Sequence, residues 1–296
     1  MRIKLSYLIG FTLLLGLVYL GYSKITEVIR KNVHQERVQK LTHTASQNVI
    51  TLPDTITVDY LEEKRTLAIY LPKNYHSDSS NYPVIYFLDG QSLFDQKIQE
   101  GTEWQIDEVM DSLGILGQQQ SIVVGIYNSA DRIKEYKPFP ETGLFADKSY
   151  EGDQHAAWIV ESVKPWIDSN FRTKKDPKSS MIAGASLGGL MSYYILMHYP
   201  STFGGAIVFS PSFWVNEKVF TLHQNNKSLI TQKIYFNAGE LESSNIKNIE
   251  KMRDILLKQG MPKENIRLDI EAGLGHSHST WKNGFRKAYP WIVNGP

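Results

Sequence analysis

The central part of the chain is punctuated by short apolar runs. Val84–Leu88, 121–127 and 205–209 are apolar almost without a break, the pattern of strands buried on both faces. Residues 180–183, 233–238 and 266–270 complete the set. Between them, helical periodicity appears at about 102–113, 155–169, 187–199, 245–259 and 280–291. Strands that alternate with helices predict an α/β architecture, a mostly parallel central sheet with helices on both faces. Upstream, 56–60 and 66–72 alternate apolar and polar residues instead, as two half-exposed antiparallel strands at a sheet edge would. Residues 75–81 are polar and read as a turn.

The first residues follow a different pattern. Residues 5–22 carry no charge, and Arg2 and Lys4 precede them. A run of this length lies at the lower edge of what spans a bilayer. Two readings of 1–23 follow. One is a transmembrane anchor that leaves the body outside the cytoplasm, periplasmic or extracellular. The other is a signal peptide, cut beside the small residues Gly21 and Ser23, which gives a secreted protein. Bulky Tyr19, Leu20 and Tyr22 crowd that cut and favour the anchor. Lys24, Arg30 and Lys31 follow the run, so charge bias orients it only weakly. Residues 24–51 are polar with scattered apolar positions and read as a stalk or linker. The folded domain is expected over 52–296, with no strand or catalytic group before it.

Composition narrows the chemistry. At 296 residues the chain is long enough for one large α/β domain with a full core. A formal net charge of +1 suggests no nucleic-acid or polyanion partner. The absence of cysteine removes disulfides, thiol catalysis and thiolate metal sites, and leaves the compartment open.

In open α/β sheets the site lies beyond the carboxyl ends of the strands. One such end carries Gly184-Ala185-Ser186-Leu187-Gly188-Gly189, between an apolar run and a helix. A serine at so sharp a strand-to-helix turn is a nucleophile elbow; side chains at Gly184 and Gly188 would clash there. The Leu187 N–H then faces the place where an oxyanion would form. A serine needs a base to take its proton. Of the eight histidines, His276 and His278 follow the last predicted strand, in the position after serine and acid that this chemistry uses. The acid is expected after the preceding strand, where Glu240 and Glu242 are the candidates. The second oxyanion donor is expected in Asp89-Gly90-Gln91, as the Gln91 N–H. Arg132 and Trp214 are candidate substrate contacts, although an ion pair that pins a loop would explain Arg132 and Glu135 equally well. Trp104 and Trp158 are either cavity-lining or core.

Five blocks together resemble the putative-esterase family of α/β-hydrolases, which includes enterochelin esterases, feruloyl and acetyl-xylan esterases, S-formylglutathione hydrolases and mycolyltransferases. They are 82–91; Val123-Val124-Gly125-Ile126 with Asn128, Arg132, Glu135 and Tyr136; the Ser186 elbow; Phe203-Gly204 with Ser210-Pro211-Ser212; and Gly275-His276 with Trp281. The similarity spans about 55–292. It implies an α/β-hydrolase fold, His276 as the base and, three residues beyond the strand-end glycine, Glu242 as the acid. Glutamate stands there in place of the commoner aspartate.

The expectation is a serine carboxylic-ester hydrolase. Ser186, His276 and Glu242 form the triad, Gln91 and Leu187 the oxyanion hole, and an acyl-enzyme the intermediate. No metal or organic cofactor is implied, and the partner is a small-molecule or oligomeric ester. A trilactone siderophore is the favoured substrate by family analogy. The alternatives are a feruloyl or acetyl ester of a polysaccharide, or a hydrolase scaffold reused as a binding module.

Overall fold

The computed structural model describes residues 2–140, 149–226 and 228–294, with side chains from Tyr19 onward and not at position 225. After a long helix, α1 (Arg2–Gln39), come β1 (Val49–Val58), β2 (Glu63–Tyr70), β3 (Val84–Leu88), α2 (Ile106–Ile115) and β4 (Ile122–Ile126). Next are α3 (Arg132–Glu135), α4 (Gly152–Trp158), α5 (Lys164–Asn170), β5 (Ser180–Ala185), α6 (Leu187–His198) and β6 (Gly205–Phe209). The chain ends with β7 (Lys233–Gly239), α7 (Ser243–Lys258), β8 (Ile266–Glu271) and α8 (His278–Asn294).

The strands form one sheet in the order β1-β2-β4-β3-β5-β6-β7-β8. β1 and β2 pair antiparallel with each other, as does β2 with β4, and every later pairing is parallel. The apolar runs are continuous because the sheet is covered twice. In β3, Val84, Tyr86 and Leu88 enter one core with α6, while Ile85 and Phe87 enter the other with α2 and α8. All five are fully buried. The parallel strands β3 to β8 stop at the same end of the sheet, which brings Asp89, Ser186, Ser210 and the loops after β7 and β8 to one rim.

The differences from expectation have local causes. β1 begins at Val49, so the expected boundary at 52 falls inside a strand. Its first half was hidden because Pro53 and a left-handed Asp54 (φ 45°) make a bulge that shifts register between Leu52 and Ile56. The segment expected at 155–169 is two helices joined by a π turn, Ile159–Val163. Pro165 has no N–H for the helical ladder, and the turn widens just before it. α2 starts at Ile106 because Gln105 takes a left-handed conformation. Most side chains of the uncharged run 5–22 lie outside the described residues. Among the described residues no helix is long and apolar enough to cross a membrane.

The linker is bound to the domain rather than free of it. The His43 ring is 2.5 Å from Asp95, and the Thr44 hydroxyl donates to Glu103 at 2.5 Å. The Ser46 N–H donates to Asp107 at 2.7 Å, and the Asn48 amide to Asp111 at 3.1 Å. Asp107 is fully buried, so Ser46 supplies a bond that solvent cannot replace. A chain starting at Leu41 should therefore keep the thermal midpoint of the full protein. One starting at Leu52 leaves Asp107 short of a donor and should lose about 2 kcal/mol, some 4–8 °C in a domain of this size. Thermal denaturation of the two chains checks this, and equal midpoints would show that 41–51 is not part of the folded unit.

Candidate active site

Ser186 caps α6 with φ 59° and ψ −121°, a region that residues with a Cβ rarely enter. The neighbouring backbone holds it there. Its N–H donates to Phe209 at the end of β6, and the Ser212 N–H donates to its carbonyl, both at 3.0 Å. A Cβ on Gly184 would stand 2.6 Å from the Gly188 carbonyl oxygen, so the turn closes only around glycine. The hydroxyl is thereby fixed at the N-terminal end of a helix, 3.3 Å from the Ser212 hydroxyl.

The loops after β7 and β8 meet beside it. His276 Nδ1 is 2.7 Å from Glu242 Oε2, and the Trp281 ring stands edge-on to the imidazole at 5.1 Å between centroids. Glu242 accepts three further hydrogen bonds, from the Gly239 N–H (2.8 Å), the Ser210 hydroxyl (2.7 Å) and the Asn245 amide (3.1 Å). Burial pushes this carboxyl up, but the bonds from His276, Gly239, Ser210 and Asn245 outweigh it and hold the pKa at about 2. Ser210 also accepts from the Trp281 indole N–H at 3.0 Å, and it too has a positive φ of 41°. The sequence marks Ser210 and Ser212 as a strand end and as part of a resemblance block, with no role for either. Their position just past β6, beside the serine turn, was the signal that they touch the site.

The competing candidates make other contacts, although His278 lines the same cavity as Ser186. Glu240 accepts the Gly273 N–H at 2.7 Å and braces the turn after β8. His278 packs against Trp104 and Trp281, and burial keeps its pKa below the ordinary value.

The loop after β3 is a single 3-10 turn, Gly90–Ser92. A Cβ on Gly90 would come within 2.2 Å of the Gly125 carbonyl carbon, so glycine alone lets this turn lie against β4. Gln91 and Leu187 each stand in the first turn of their helices, where N–H groups have no acceptor within the helix. The Gln91 side chain is tied to Asn128.

Arg132 grips the same loop. Its Nε and Nη2 both reach the Asp89 carboxylate, the latter at 2.7 Å, and its guanidinium lies 4.9 Å from the Tyr136 ring centre. α3, which carries Arg132, is held in turn by the fully buried Glu135. That carboxylate pairs with Arg65 at 2.8 Å and accepts the Ser129 N–H at 2.8 Å. Burial alone would raise the Glu135 pKa, but His155 and Arg65 bring it to about 2.

A cavity of about 320 Å³ collects these groups. Ser186, His276, Gln91, Asn128, Arg132 and Trp104 are among its lining residues. Trp214 is not among them and is 69% exposed, and Trp158 is core. Arg132 thus reaches the cavity, but with two of its nitrogens committed to Asp89. Glu103, Asp107 and Glu108 bring carboxylate oxygens within 4.8 Å of one another, outside this cavity, and the first two bind the linker.

Known proteins carry the same framework. A Bacillus subtilis protein called YbbA, itself uncharacterised, is 29% identical over 243 residues, which covers 77% of this chain and 92% of YbbA. The ferri-bacillibactin esterase BesA of the same organism is 25% identical over 264 residues, covering 78% of this chain and 88% of BesA. A solved ferulic acid esterase shares the fold, with a TM-score of 0.63 at 20% identity over 83% of this chain and 97% of its own. Residues 59–292 match the putative esterase family, and the chain belongs to that family and is an esterase hydrolase.

Proposed function

We propose that the protein is a serine carboxylic-ester hydrolase that works through Ser186, His276 and Glu242. The observation that carries this reading is the His276–Glu242 bond at 2.7 Å, on a ring that shares one cavity with Ser186. With Nδ1 donating to the carboxylate, Nε2 is the nitrogen that takes the serine proton. Ser186 then attacks the ester carbonyl, and the Gln91 and Leu187 N–H groups receive the oxyanion. His276 returns the proton to the leaving alcohol. Water, activated in the same way, releases the acid from the acyl-enzyme. Glu242 stays ionised throughout, holding the imidazole in one tautomer and offsetting its charge when protonated. Arg132 acts through Asp89, keeping the oxyanion loop in register.

The substrate reading is a trilactone siderophore. It rests on the likeness to a ferri-bacillibactin esterase along most of both chains. A feruloyl ester is the second reading, supported by sequence likeness to part of an endo-1,4-beta-xylanase/feruloyl esterase and by fold likeness to a ferulic acid esterase. The uncharged run 5–22 behind Arg2 and Lys4 supports an N-terminal membrane anchor, with the esterase domain outside the cytoplasm.

Ser186→Ala and His276→Ala should each lower kcat by several powers of ten, and Glu242→Gln by less, because the oriented imidazole retains some basicity. A fluorophosphonate should add to Ser186, as mapped by mass spectrometry. The wild type should cleave a trilactone with a higher kcat/KM than a methyl feruloyl ester; the reverse order would favour the second reading. Full activity in His276→Ala would sink the triad.

Glu242 also predicts an acid limit. Its folded pKa of about 2 lies below the ordinary 4.5. This stabilisation is therefore complete above about pH 4.5 and is lost as pH falls through about 2, a difference of roughly 3 kcal/mol. Glu135 titrates in the same window. Glu242→Gln should flatten, without abolishing, the pH dependence of unfolding between those limits, measured by denaturant titration; an unchanged slope would contradict the assignment.

On cell fractionation the intact chain should sediment with membranes and carry its original N-terminus. A soluble chain beginning near Lys24 would show a cleaved signal peptide instead.

A further inference from the structure

The last turns of α1 reach the loop 95–104, which lies between the Gly90–Ser92 turn and α2. His34 Nε2 is 2.7 Å from the Glu100 carboxylate, and Arg37 Nη2 donates to the Glu100 carbonyl at 3.2 Å. Among the described residues, these are the hydrogen bonds that tie 97–101 to anything outside the loop. The two ends of the loop are held otherwise. The Gln96 N–H donates to the Thr44 hydroxyl and the Trp104 N–H to the Ser92 carbonyl, both at 2.9 Å.

A groove of about 340 Å³ runs between α1 and this loop, with Arg37, Leu41, Gln99 and Glu100 among its walls. Gln99 also lines the cavity that holds Ser186. It therefore stands between α1 and the catalytic cavity. His34 and Arg37 precede residue 59, where the family match begins, so the family likeness does not extend to them.

We propose that His34 and Arg37 are positioning residues of the esterase site. They hold 97–101, and through it Gln99, in the wall of the Ser186 cavity, and so favour esters large enough to touch that wall. The inference rests on the serine-esterase reading above.

The backbone of the loop needs such a hold. Glu100 has a φ of 56°, a left-handed conformation that persists in a residue with a Cβ only where surrounding contacts fix it. The Glu100 N–H donates to the Lys97 carbonyl at 3.3 Å and the Gly101 N–H to the Gln96 carbonyl at 2.8 Å. These bonds close the turn on itself without binding it to the domain. The His34–Glu100 pair is exposed, with 46% and 59% of the two side chains accessible, so its loss changes overall stability little. What it restricts is the position of the loop. A wall that is not held must be ordered when a large acyl group binds, which weakens binding of that ester and not of one too small to reach the wall. Ser186, His276 and Glu242 keep their own bonds, which involve neither α1 nor 97–101.

The test uses the full chain with p-nitrophenyl acetate and p-nitrophenyl benzoate, whose acyl group fills more of the cavity. His34→Ala and Arg37→Ala should each lower the benzoate-to-acetate ratio of kcat/KM by about two- to fivefold. The thermal midpoint and kcat/KM for the acetate should not change. Gln99→Ala should lower the ratio at least as far, and adding Arg37→Ala to it should lower the ratio no further, because the two act on one element. The ratio is internal to each variant, so partial loss of folded protein does not alter it. A ratio unmoved in either α1 variant, an equal loss on both esters, or additive effects of Arg37→Ala and Gln99→Ala would overturn the proposal. Failure of the wild type on both esters would instead overturn the serine-esterase reading.

Discussion

The site is organised around one carboxylate. Glu242 takes four hydrogen bonds, from the end of β7, the residue after β6, the start of α7 and the histidine loop. Its lone-pair directions are filled, so the carboxylate has one orientation. Burial would neutralise an isolated acid at this place; the four donors keep it charged. The imidazole inherits that orientation through Nδ1, and Trp281 closes the circuit by contacting His276 and donating to Ser210. Two residues with positive φ, Ser186 and Ser210, persist because this network and the β5–β6 pairing over-determine them.

The opposite wall is built by ion pairs. Arg65 holds Glu135, Glu135 holds α3, and Arg132 of α3 holds Asp89 beside the Gly90–Ser92 turn. Buried ion pairs add little net stability, because desolvation offsets most of the attraction. Losing one partner is far more costly than the pair is stabilising. Such a relay therefore serves geometry, keeping the Gly90–Ser92 turn at the wall of the cavity that Ser186 also lines.

The sheet was legible because double burial writes itself as unbroken apolar runs. β3 and β6 match their sequence expectations, and the nearby helix ends differ where a backbone special intervenes. What escaped were features without periodicity. The first half of β1 is largely exposed and interrupted by Pro53, so neither alternation nor hydrophobicity marked it. The four-residue α3 is too short for a helical period. In the site, Ser186, the two histidines and the two glutamates could be named from strand-end position. The resemblance to the esterase family singled out Glu242 and His276, and the 2.7 Å contact between them appears only where the loops after β7 and β8 meet. An aromatic residue near a strand end has no signature for direction, and the turn Phe213–Val215 carries Trp214 to the surface, outside the lining of the Ser186 cavity. The linker contacts were invisible, since Thr44 and Ser46 resemble any polar stalk until Glu103 and Asp107 lie beneath them.

The bulge in β1 has a bearing on how copies of the chain meet. Among the described residues β1 and β8 are the outer strands of the sheet, each with a strand neighbour on one side only. Outer strands are templates for strand addition by a neighbouring molecule. On β1, Pro53 lacks a donor and Asp54 turns the chain out of the extended form, so the ten-residue strand is never a flat edge. On β8, Arg267, Asp269 and Glu271 place a charge at every second position of a six-residue strand. The irregularity that hid β1 in the sequence is thus part of what keeps an eight-stranded sheet from growing a ninth strand by aggregation.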